Sequence, residues 1–470
     1  MRTYRHQAGL LAYAPPAVYL GAFAALALVL AAVLALLHHG LYAASVDALD
    51  MVGHIAGQAT ATMLCIGIAA GIAAAAVHRL TPDHTRIAAQ VRRAMYHPAY
   101  GNPLRLREGE LLPTVNCSHI GNGVYELTVT AKSCTVETIV EAASAISSAI
   151  NGRYLRYAVT QTDAGIAHDK VVFRLEDVLI DRSLTFEKVD DMRPASPTRL
   201  RVQDGAEIDL TTSGSILCAG KTRSGKTTGI IALLLQALQC GRDMYGSECI
   251  IIDPKQAELS RLCHVVTLDE DGEARGILGT LGRFLASSVS RQAVLNGLSD
   301  RSGDAVKWWD AGMHPSFLFI DEYVALRSLI PAKAAKDDPD YCLATFDGLL
   351  RRIVTMGASA GCYVIISIAE ASVQEGGLSA MLRAAMSTRI LFRPTRAEAL
   401  LMWDKVKIDP LPERTYGPGD AWFSSTDGTH DAVSYVHFPR MDFPAYRELG
   451  RLLSEYYADN PASTTPPAAE

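Results

Sequence analysis

At 470 residues the chain is too long for a single compact core, so two or three folding units are expected. Its 44 Lys and Arg residues against 50 Asp and Glu leave a formal net charge of −6, which counts against a uniformly basic nucleic-acid-binding surface. The nine cysteines are scattered without a C-x-x-C pair or a His cluster at zinc spacing, which favours reduced thiols over a zinc-finger or disulfide framework.

Two apolar segments near the N-terminus have the length of membrane-spanning helices. Residues 17–37 contain no charged residue, and at 1.5 Å per residue they span roughly 31 Å, the thickness of a bilayer core. Residues 55–77 are interrupted by a Gln and two Thr, but their small residues suit close helix pairing in lipid. We therefore predict a transmembrane hairpin within residues 1–80, with a cleaved signal peptide as the alternative for the first segment.

The charges that flank the two segments predict their orientation. Basic residues lie before the first segment and after the second, namely Arg2, Arg5, Arg79, Arg86, Arg92 and Arg93. The link between the segments carries Asp47 and Asp50 and no Lys or Arg. By the positive-inside rule, both termini and everything after residue 80 are expected in the cytoplasm of a cell-membrane protein with two spans.

Residues 81–200 predict a small juxtamembrane α/β domain followed by a linker. The candidate strands are 124–131, 153–162 and 169–178, and residues 135–150 have helical spacing. The Pro-punctuated residues 192–200 are typical of a linker, and nothing in this domain has catalytic spacing.

The segment GKTRSGKT at 220–227 matches the phosphate-binding pattern G-x-x-x-x-G-K-[ST]. It follows the apolar strand candidate 215–219 and precedes an apolar helix candidate, the order that the motif requires. Backbone N–H groups would surround the phosphates of ATP, Lys226 would reach the β- and γ-phosphates, and the Thr227 hydroxyl would ligate Mg²⁺. The predicted nucleotide-binding residues are Gly220, Lys221, Thr222, Arg223, Ser224, Gly225, Lys226, Thr227 and Thr228.

An acidic pair follows a second apolar strand candidate, 317–320. Asp321 is the predicted Mg²⁺-binding residue, and Glu322 is predicted to polarise the attacking water. Two more strand candidates are 248–255, ending in Asp-Pro-Lys, and 362–370, in which Ser367 or Glu370 would approach the γ-phosphate. Four apolar strands separated by helices predict a doubly wound, RecA-like P-loop domain with a mostly parallel sheet.

With these motifs, residues 200–440 resemble the FtsK/SpoIIIE family of membrane-anchored DNA-pumping motors, and the layout resembles conjugation coupling proteins of the TcpA type. Three further segments carry the resemblance: IIIDPKQAEL at 250–259, RAAMSTRILFRPTRAEALLMWD at 383–404 and YGPGDAWF at 416–423. They are similar to the family's Asp-Pro-Lys strand end, its Thr-Arg-Ile segment and its Gly-x-Gly-Asp turn. The motor is expected to cover residues 201–445, leaving 446–470 as a helix end and a disordered tail.

Two motifs depart from the family pattern. The family's Arg-Ala-Ala-Gly box is ASAG at 358–361, and its Thr-Gln-Arg-Pro-Ser strand end is IAEAS at 368–372. These changes affect residues associated with nucleotide sensing and with signalling between subunits, whereas the phosphate-binding pattern is intact.

The resemblance implies a homohexameric ring with ATP at subunit interfaces and an arginine that reaches the nucleotide of the neighbouring subunit. Arg389 matches the family's Thr-Arg position and is the first candidate for this role. Arg351 and Arg352, on the helix candidate 346–357, are alternatives.

The resemblance and the layout together predict an ATP-driven translocase of double- or single-stranded DNA, tethered to the bilayer beside channel or transfer-apparatus components. Because the chain stops soon after the motor, transfer of a mobile element is favoured over chromosome segregation. One alternative is a type VII-like protein-export ATPase. Another is a nucleotide-switched membrane protein that is not a motor.

Overall fold

The computed structural model describes residues 3–5, 14–43, 47–97, 101–165, 167–369, 378–408, 411 and 416–458. The chain forms two compact units that meet between Ile180 and Asp181, and each is described by itself. The elements of the first unit are α1 (Pro16–Ala43), α2 (Asp47–Leu80), α3 (Asp83–Tyr96), β1 (Thr114–Gly121), β2 (Val124–Thr130), α4 (Val136–Glu141), α5 (Ala143–Ala149), β3 (Tyr157–Ala164) and β4 (Lys170–Asp177).

Helices α1 and α2 form an antiparallel pair held by small residues. Ala24, Ala27 and Ala31, spaced three and four residues apart, are buried in one stripe of α1. Gly67 of α2 lies so close to Leu28 that a Cβ atom there would meet the Leu28 side chain at 2.9 Å. Many other large apolar side chains of α1 and α2 are exposed, so both helices present a hydrophobic outer surface.

Both helices are long and apolar enough to cross a membrane. The qualifying segments are Pro16–Gly40 and Met51–Leu80, and both extend beyond the predicted segments 17–37 and 55–77.

The rest of the first unit is an antiparallel sheet covered by short helices. Its strand order is β1-β2-β4-β3, and its core contains Leu127, Val129 and Phe173. Strand β1 and helix α3 were not expected. The predicted helix over 135–150 is divided at Ala142, whose ψ of 1° interrupts the helical backbone.

The second unit is larger and contains the phosphate-loop segment. Its elements are β5 (Thr185–Phe186), β6 (Arg199–Gln203), β7 (Ala206–Asp209), β8 (Ile216–Ala219), α6 (Lys226–Gln239), β9 (Cys249–Ile252), β10 (Val265–Val266), α7 (Arg275–Ser302), β11 (Ser316–Ile320), α8 (Tyr323–Leu329), α9 (Leu343–Met356), β12 (Cys362–Ile368), α10 (Ala380–Ala385), β13 (Thr388–Phe392), α11 (Arg396–Met402), α12 (Lys405–Ile408), β14 (Asp420–Ser425), β15 (Ser434–His437), β16 (Arg440–Met441) and α13 (Ala445–Ala458).

Eight of the described strands form one sheet in the order β10-β9-β11-β12-β8-β13-β14-β15. The strands from β10 to β13 are parallel to their neighbours, and β14 and β15 complete the sheet in antiparallel fashion. The chain therefore has the α/β, RecA-like P-loop fold that the sequence predicted. Strand β12 separates β8, which leads into the phosphate loop, from β11, which leads into the acidic pair.

The sheet is buried on both faces, which explains the uninterrupted apolar strands. Ile216 and Cys218 of β8 face one core with α6 and α13, whereas Leu217 and Ala219 face the other core with α7 and α9. A parallel sheet covered on both faces needs apolar residues at consecutive positions rather than at alternate ones.

The stretch before the phosphate-loop strand belongs to the second unit. Phe186, Met192 and Leu200 lie in the same core as α6, and Met192 is fully buried. The structure thus groups the residues from 181 with the second unit, whereas the sequence assigned 81–200 to the domain that precedes the motor. Burial of these apolar side chains explains the difference. Helix α13 extends to Ala458, and the predicted disordered tail, residues 461–470, lies outside the described residues.

Candidate active site

The loop between β8 and α6 has the conformation that its glycines allow. Gly220 has a φ of 151° and Gly225 a φ of 92°, and Gly225 is the residue from which α6 begins. Side chains adopt such values only with strain, so glycine is required at both positions. The Gly220 N–H donates to the Ile368 carbonyl at 3.2 Å, which anchors the loop to the end of β12.

The Gly-x-Gly-Asp turn packs directly on this loop. The Gly419 N–H donates to the Ser224 carbonyl at 3.0 Å, and a Cβ atom on Gly225 would lie 2.5 Å from the Gly419 nitrogen. A Cβ atom on Gly220 would lie 2.8 Å from the Phe392 carbonyl oxygen. The glycines therefore serve the packing of this turn and of β13 against the loop as well as its curvature. Sequence reasoning had noted the turn only as part of the resemblance.

The loop presents a mixture of exposed and buried side chains. Lys221, Thr222, Arg223 and Thr228 are exposed, Thr227 is half-buried, and Ser224 and Lys226 are buried. The predicted nucleotide-binding residues thus surround the start of α6, where the backbone N–H groups of a first helical turn and the positive end of the helix favour an anion.

Strand β11 delivers the acidic pair to the same place. The Glu322 Oε1 atom lies 3.4 Å from the Lys226 Nζ atom and 3.3 Å from the Lys255 Nζ atom. The side chains of Lys226 and Glu322 are 6% and 15% exposed, whereas that of Lys255 is 50% exposed. The structure therefore brings together the predicted lysine and the predicted catalytic glutamate, and adds a second lysine from the Asp-Pro-Lys strand end.

Lys255 had no predicted role in the site. It follows β9, which pairs with β11, so the carboxyl ends of these two strands lie side by side. The Asp-Pro-Lys motif was the available signal for this lysine, but the lysine's partner depends on the strand order.

Asp321, the other member of the acidic pair, is buried and has an oxygen that accepts no hydrogen bond from a described residue. Neither its Oδ1 atom nor the Ser367 Oγ atom has a hydrogen-bond partner among the described residues. Burial is the main cause that raises the pKa of Asp321, the charges of Glu322 and Asp253 raise it further, and the charge of Lys226 opposes the shift. An unsatisfied buried carboxylate next to a phosphate loop suits a cation.

Asp253 lies close enough to Asp321 for its charge to affect the pKa of Asp321, but its own carboxylate is already hydrogen-bonded. Its carboxylate accepts hydrogen bonds from the backbone N–H groups of Lys255, Ala257 and Ser260, at 2.9 to 3.1 Å. It therefore shapes the turn that carries Lys255.

Glu322 has a left-handed backbone, with φ 49° and ψ 59°, at the start of α8. This conformation is uncommon for a residue other than glycine and costs on the order of 1 kcal/mol or more. Strain of this kind is concentrated at functional sites, and here it turns the Glu322 side chain toward Lys226.

Mg²⁺ fits the donor set at this point. Among the described residues, no three His, Cys, Asp or Glu side chains gather as a metal site. A magnesium ion bound with nucleotide needs few protein ligands, because it keeps several waters and takes oxygens from the phosphates. The Thr227 hydroxyl and the unsatisfied Asp321 carboxylate would hold it, directly or through water.

Arg389, the first candidate for the inter-subunit arginine, is engaged inside its own chain. Its guanidinium donates to the backbone carbonyls of Met386, Met402 and Arg383. Burial is the main cause that lowers the pKa of this guanidinium. These contacts do not include Lys226 or the acidic pair.

The remaining predicted residues differ in their accessibility. The alternatives Arg351 and Arg352 are exposed on α9. Ser367 lies at the end of β12, which runs between β8 and β11, and Glu370 lies outside the described residues.

Comparison with known proteins supports the motif analysis. No family model matches the chain. Over 152 residues it is 26% identical to "Ftsk domain-containing protein YdcQ" of Bacillus subtilis (strain 168), and the match covers 32% of this chain and 28% of that relative. The chain thus spans less than a third of the relative's length. The predicted resemblance to FtsK-domain proteins is confirmed.

Two solved structures overlap with the chain at low sequence identity. The monomer form of the pCW3 conjugation coupling protein TcpA, with ATPγS, is 15% identical, and the overlap covers 79% of this chain and 99% of that one at a TM-score of 0.46. EssC (ATPases 2 and 3) from Geobacillus thermodenitrificans is 16% identical, and the overlap covers 60% of this chain and 53% of that one at a TM-score of 0.42.

Proposed function

We propose that this chain is a membrane-anchored ATPase that translocates DNA, and that it couples the DNA of a mobile element to a transfer apparatus. The observation that carries the ATPase part is the convergence of Lys226, Glu322 and the unsatisfied Asp321 carboxylate at the start of α6. These are the groups needed to bind a triphosphate with Mg²⁺ and to activate water beside it.

The ion pair between Lys226 and Glu322 gives the site two arrangements. Without nucleotide, the lysine is neutralised by Glu322. When ATP binds, Lys226 turns to the β- and γ-phosphates, and the Glu322 carboxylate becomes available to accept a proton from the attacking water. Bound Mg²⁺ would offset the phosphate charge, with Asp321 and Thr227 on its protein side.

The anchor in this proposal is the helix pair α1 and α2. The flanking charges favour a topology in which both termini and the second unit lie in the cytoplasm, where ATP is present. The overall negative charge is compatible with a DNA motor, because such a motor grips the phosphate backbone with a few basic residues. A homohexameric ring with a trans arginine is the assembly that the FtsK resemblance favours.

ATP turnover by the full chain in lipid nanodiscs tests the proposal. Turnover is measured with linear duplex DNA, with single-stranded DNA and without DNA, at low and at high salt. We expect strong stimulation by DNA at low salt that falls steeply as salt rises, because backbone binding releases counterions. The control is Lys226→Ala, which removes turnover but not DNA binding.

Each other outcome favours a different function. Stimulation by a secreted peptide and not by DNA would replace the proposal with a protein-export ATPase. Nucleotide binding without turnover under any condition would replace it with a nucleotide-switched membrane protein.

A further inference from the structure

The first unit contains a large cavity where the apolar hairpin meets the charged α/β domain. Its volume is about 1230 Å³, and its walls come from the first turns of α1, the last turn of α2, α3 and β1. We call it the interfacial cavity. It exceeds the usual range of roughly 300–1,000 Å³ for small-molecule sites.

The interfacial cavity is lined by apolar residues and by basic residues. Pro16, Val18 and Tyr19 of α1 supply an apolar wall, and Val18 and Tyr19 are 40% and 45% exposed. Basic residues line the cavity as well, namely Arg86, Arg92, Lys132 and Arg153, and no acidic side chain is among the lining residues, all of which the structure describes. The cavity therefore suits a molecule with an apolar part and an anionic part.

Two of these cations are held in place by the protein. Arg86 donates to the backbone carbonyls of His78 and Arg79 at the end of α2, and its Nε atom is buried without a hydrogen-bond partner among the described residues. Arg92 donates to the Val115 carbonyl through Nε at 3.2 Å and Nη2 at 2.6 Å. A guanidinium fixed in this way can receive an oxyanion with little loss of side-chain entropy.

The position of the cavity favours a lipid over other anionic ligands. The helix segments that can cross a membrane begin at Pro16 and end at Leu80, and both of these ends lie beside the cavity. With the hairpin in a bilayer, the cavity therefore lies at headgroup level on the side of the basic flanks. Tyr19 has the amphipathic ring that is enriched at this level.

We propose that the interfacial cavity binds an anionic phospholipid of the inner leaflet, with its phosphate against Arg86, Arg92 and Lys132 and its acyl chains along α1. The inference rests on the proposed membrane anchor and not on ATP hydrolysis. The bound lipid would join the hairpin to the α/β domain.

The test uses the full chain in nanodiscs that contain phosphatidylcholine and a minor fraction of phosphatidylglycerol. Native mass spectrometry counts the lipids that stay bound after release from the disc. We expect phosphatidylglycerol to be enriched over its bulk fraction among the lipids bound to the wild-type protein. In the double variant Arg86→Gln/Lys132→Gln, this enrichment should fall by a factor of about five for each cation removed.

Arg107→Gln is the matched control, because Arg107 is exposed in the same unit and outside the lining. It should keep the enrichment. The single variant Lys132→Gln covers the case in which the double variant does not fold. Lys132 is exposed, so its loss should reduce the enrichment without changing the melting profile. In a separate arm in detergent, inorganic phosphate should give no thermal stabilisation, whereas added phosphatidylglycerol should.

Bulk lipid ratios in the wild-type protein, or equal enrichment in the wild type and the double variant, would overturn the lipid site. Stabilisation by inorganic phosphate alone would also overturn it in favour of a soluble anion. A chain that does not insert into nanodiscs at all would instead overturn the proposed anchor, so the two failures are distinguishable.

Discussion

Lys226 Nζ and Glu322 Oε1 lie 3.4 Å apart, so the lysine of the phosphate loop and the glutamate after β11 neutralise each other in the nucleotide-free protein. Both side chains are largely buried, so removing Glu322 leaves the Lys226 charge poorly solvated, whereas removing Lys226 leaves Glu322 paired with Lys255. The two residues nevertheless have different predicted roles, and two substitutions separate them.

Lys226→Ala should weaken ATP binding by about 10- to 100-fold, because the phosphates lose a charged hydrogen-bond donor. Titration with a fluorescent ATP analogue measures the change. Lys405→Ala, at an exposed lysine on α12, is the control and should bind as the wild type does. Unchanged affinity in Lys226→Ala would remove the lysine from the phosphate site.

Glu322→Gln should keep nucleotide binding and lower turnover by about 10²- to 10⁴-fold, because the amide cannot accept the proton of the attacking water. The same titration and a phosphate-release assay measure both quantities. The control is Glu448→Gln, which removes the same negative charge on α13, away from the loop, and should leave turnover unaffected. Normal turnover in Glu322→Gln would assign water activation to another group.

Asp321→Asn should raise the thermal unfolding midpoint of the nucleotide-free protein near neutral pH while abolishing magnesium-dependent turnover. Burial raises the pKa of Asp321, so above that pKa the folded state holds a carboxylate that the unfolded chain would solvate better. The cost is present at neutral pH and disappears as pH falls through the raised pKa toward the ordinary value, below which both states are protonated. Each kcal/mol regained corresponds to about 2–4 °C.

Melting curves of the wild type and Asp321→Asn at about pH 7 and about pH 4.5 check the sign. The midpoint difference should shrink on acidification. Asp300→Asn, at an exposed aspartate on α7, should show no difference at either pH. A difference that grows as pH falls would contradict the raised pKa.

Arg389→Ala should lower the free energy of unfolding by about 1–3 kcal/mol, because three backbone carbonyls lose their donor. Arg352→Ala, at an exposed position, should leave stability unchanged. Thermal melts and ATP turnover are measured on both variants. Reduced turnover with an unchanged melt in Arg389→Ala would instead favour its role as the arginine that reaches the neighbouring subunit.

The parts of the fold that local patterns dictate were predictable. A continuous apolar strand, a glycine loop and an apolar helix predict β8 and α6, and the acidic pair after β11 follows from the same logic. The division of helix 135–150 at Ala142 has no comparable local signal, because alanine favours the helix. The core position of Met192 was also unexpected, because the prolines around it are typical of a linker.

Contacts between distant segments were less predictable. Lys255 reaches Glu322 because β9 pairs with β11, and Gly419 reaches the phosphate loop because β14 pairs with β13. Neither pairing can be obtained from spacing along the chain. The Asp-Pro-Lys and Gly-x-Gly-Asp motifs marked both segments, but their partners required the strand order.

Glycine at the ends of α6 can be required by a positive φ or by the close approach of another segment. The variants Gly225→Ala and Gly241→Ala separate these two requirements. Both glycines have positive φ, 92° and 73°, so alanine costs on the order of 1 kcal/mol at either position. A Cβ atom on Gly241 meets nothing within 4 Å, whereas one on Gly225 lies 2.5 Å from the Gly419 nitrogen.

We therefore expect Gly241→Ala to lower the melting midpoint slightly and to bind ATP normally, and Gly225→Ala to lose ATP binding as well. Loss of binding follows because the loop must move away from the Gly419 turn, which breaks the hydrogen bond from the Gly419 N–H to the Ser224 carbonyl. Parallel melting curves and nucleotide titrations make the comparison. Equal ATP affinity in the two variants would mean that contact with the Gly419 turn does not determine the loop's phosphate-binding shape.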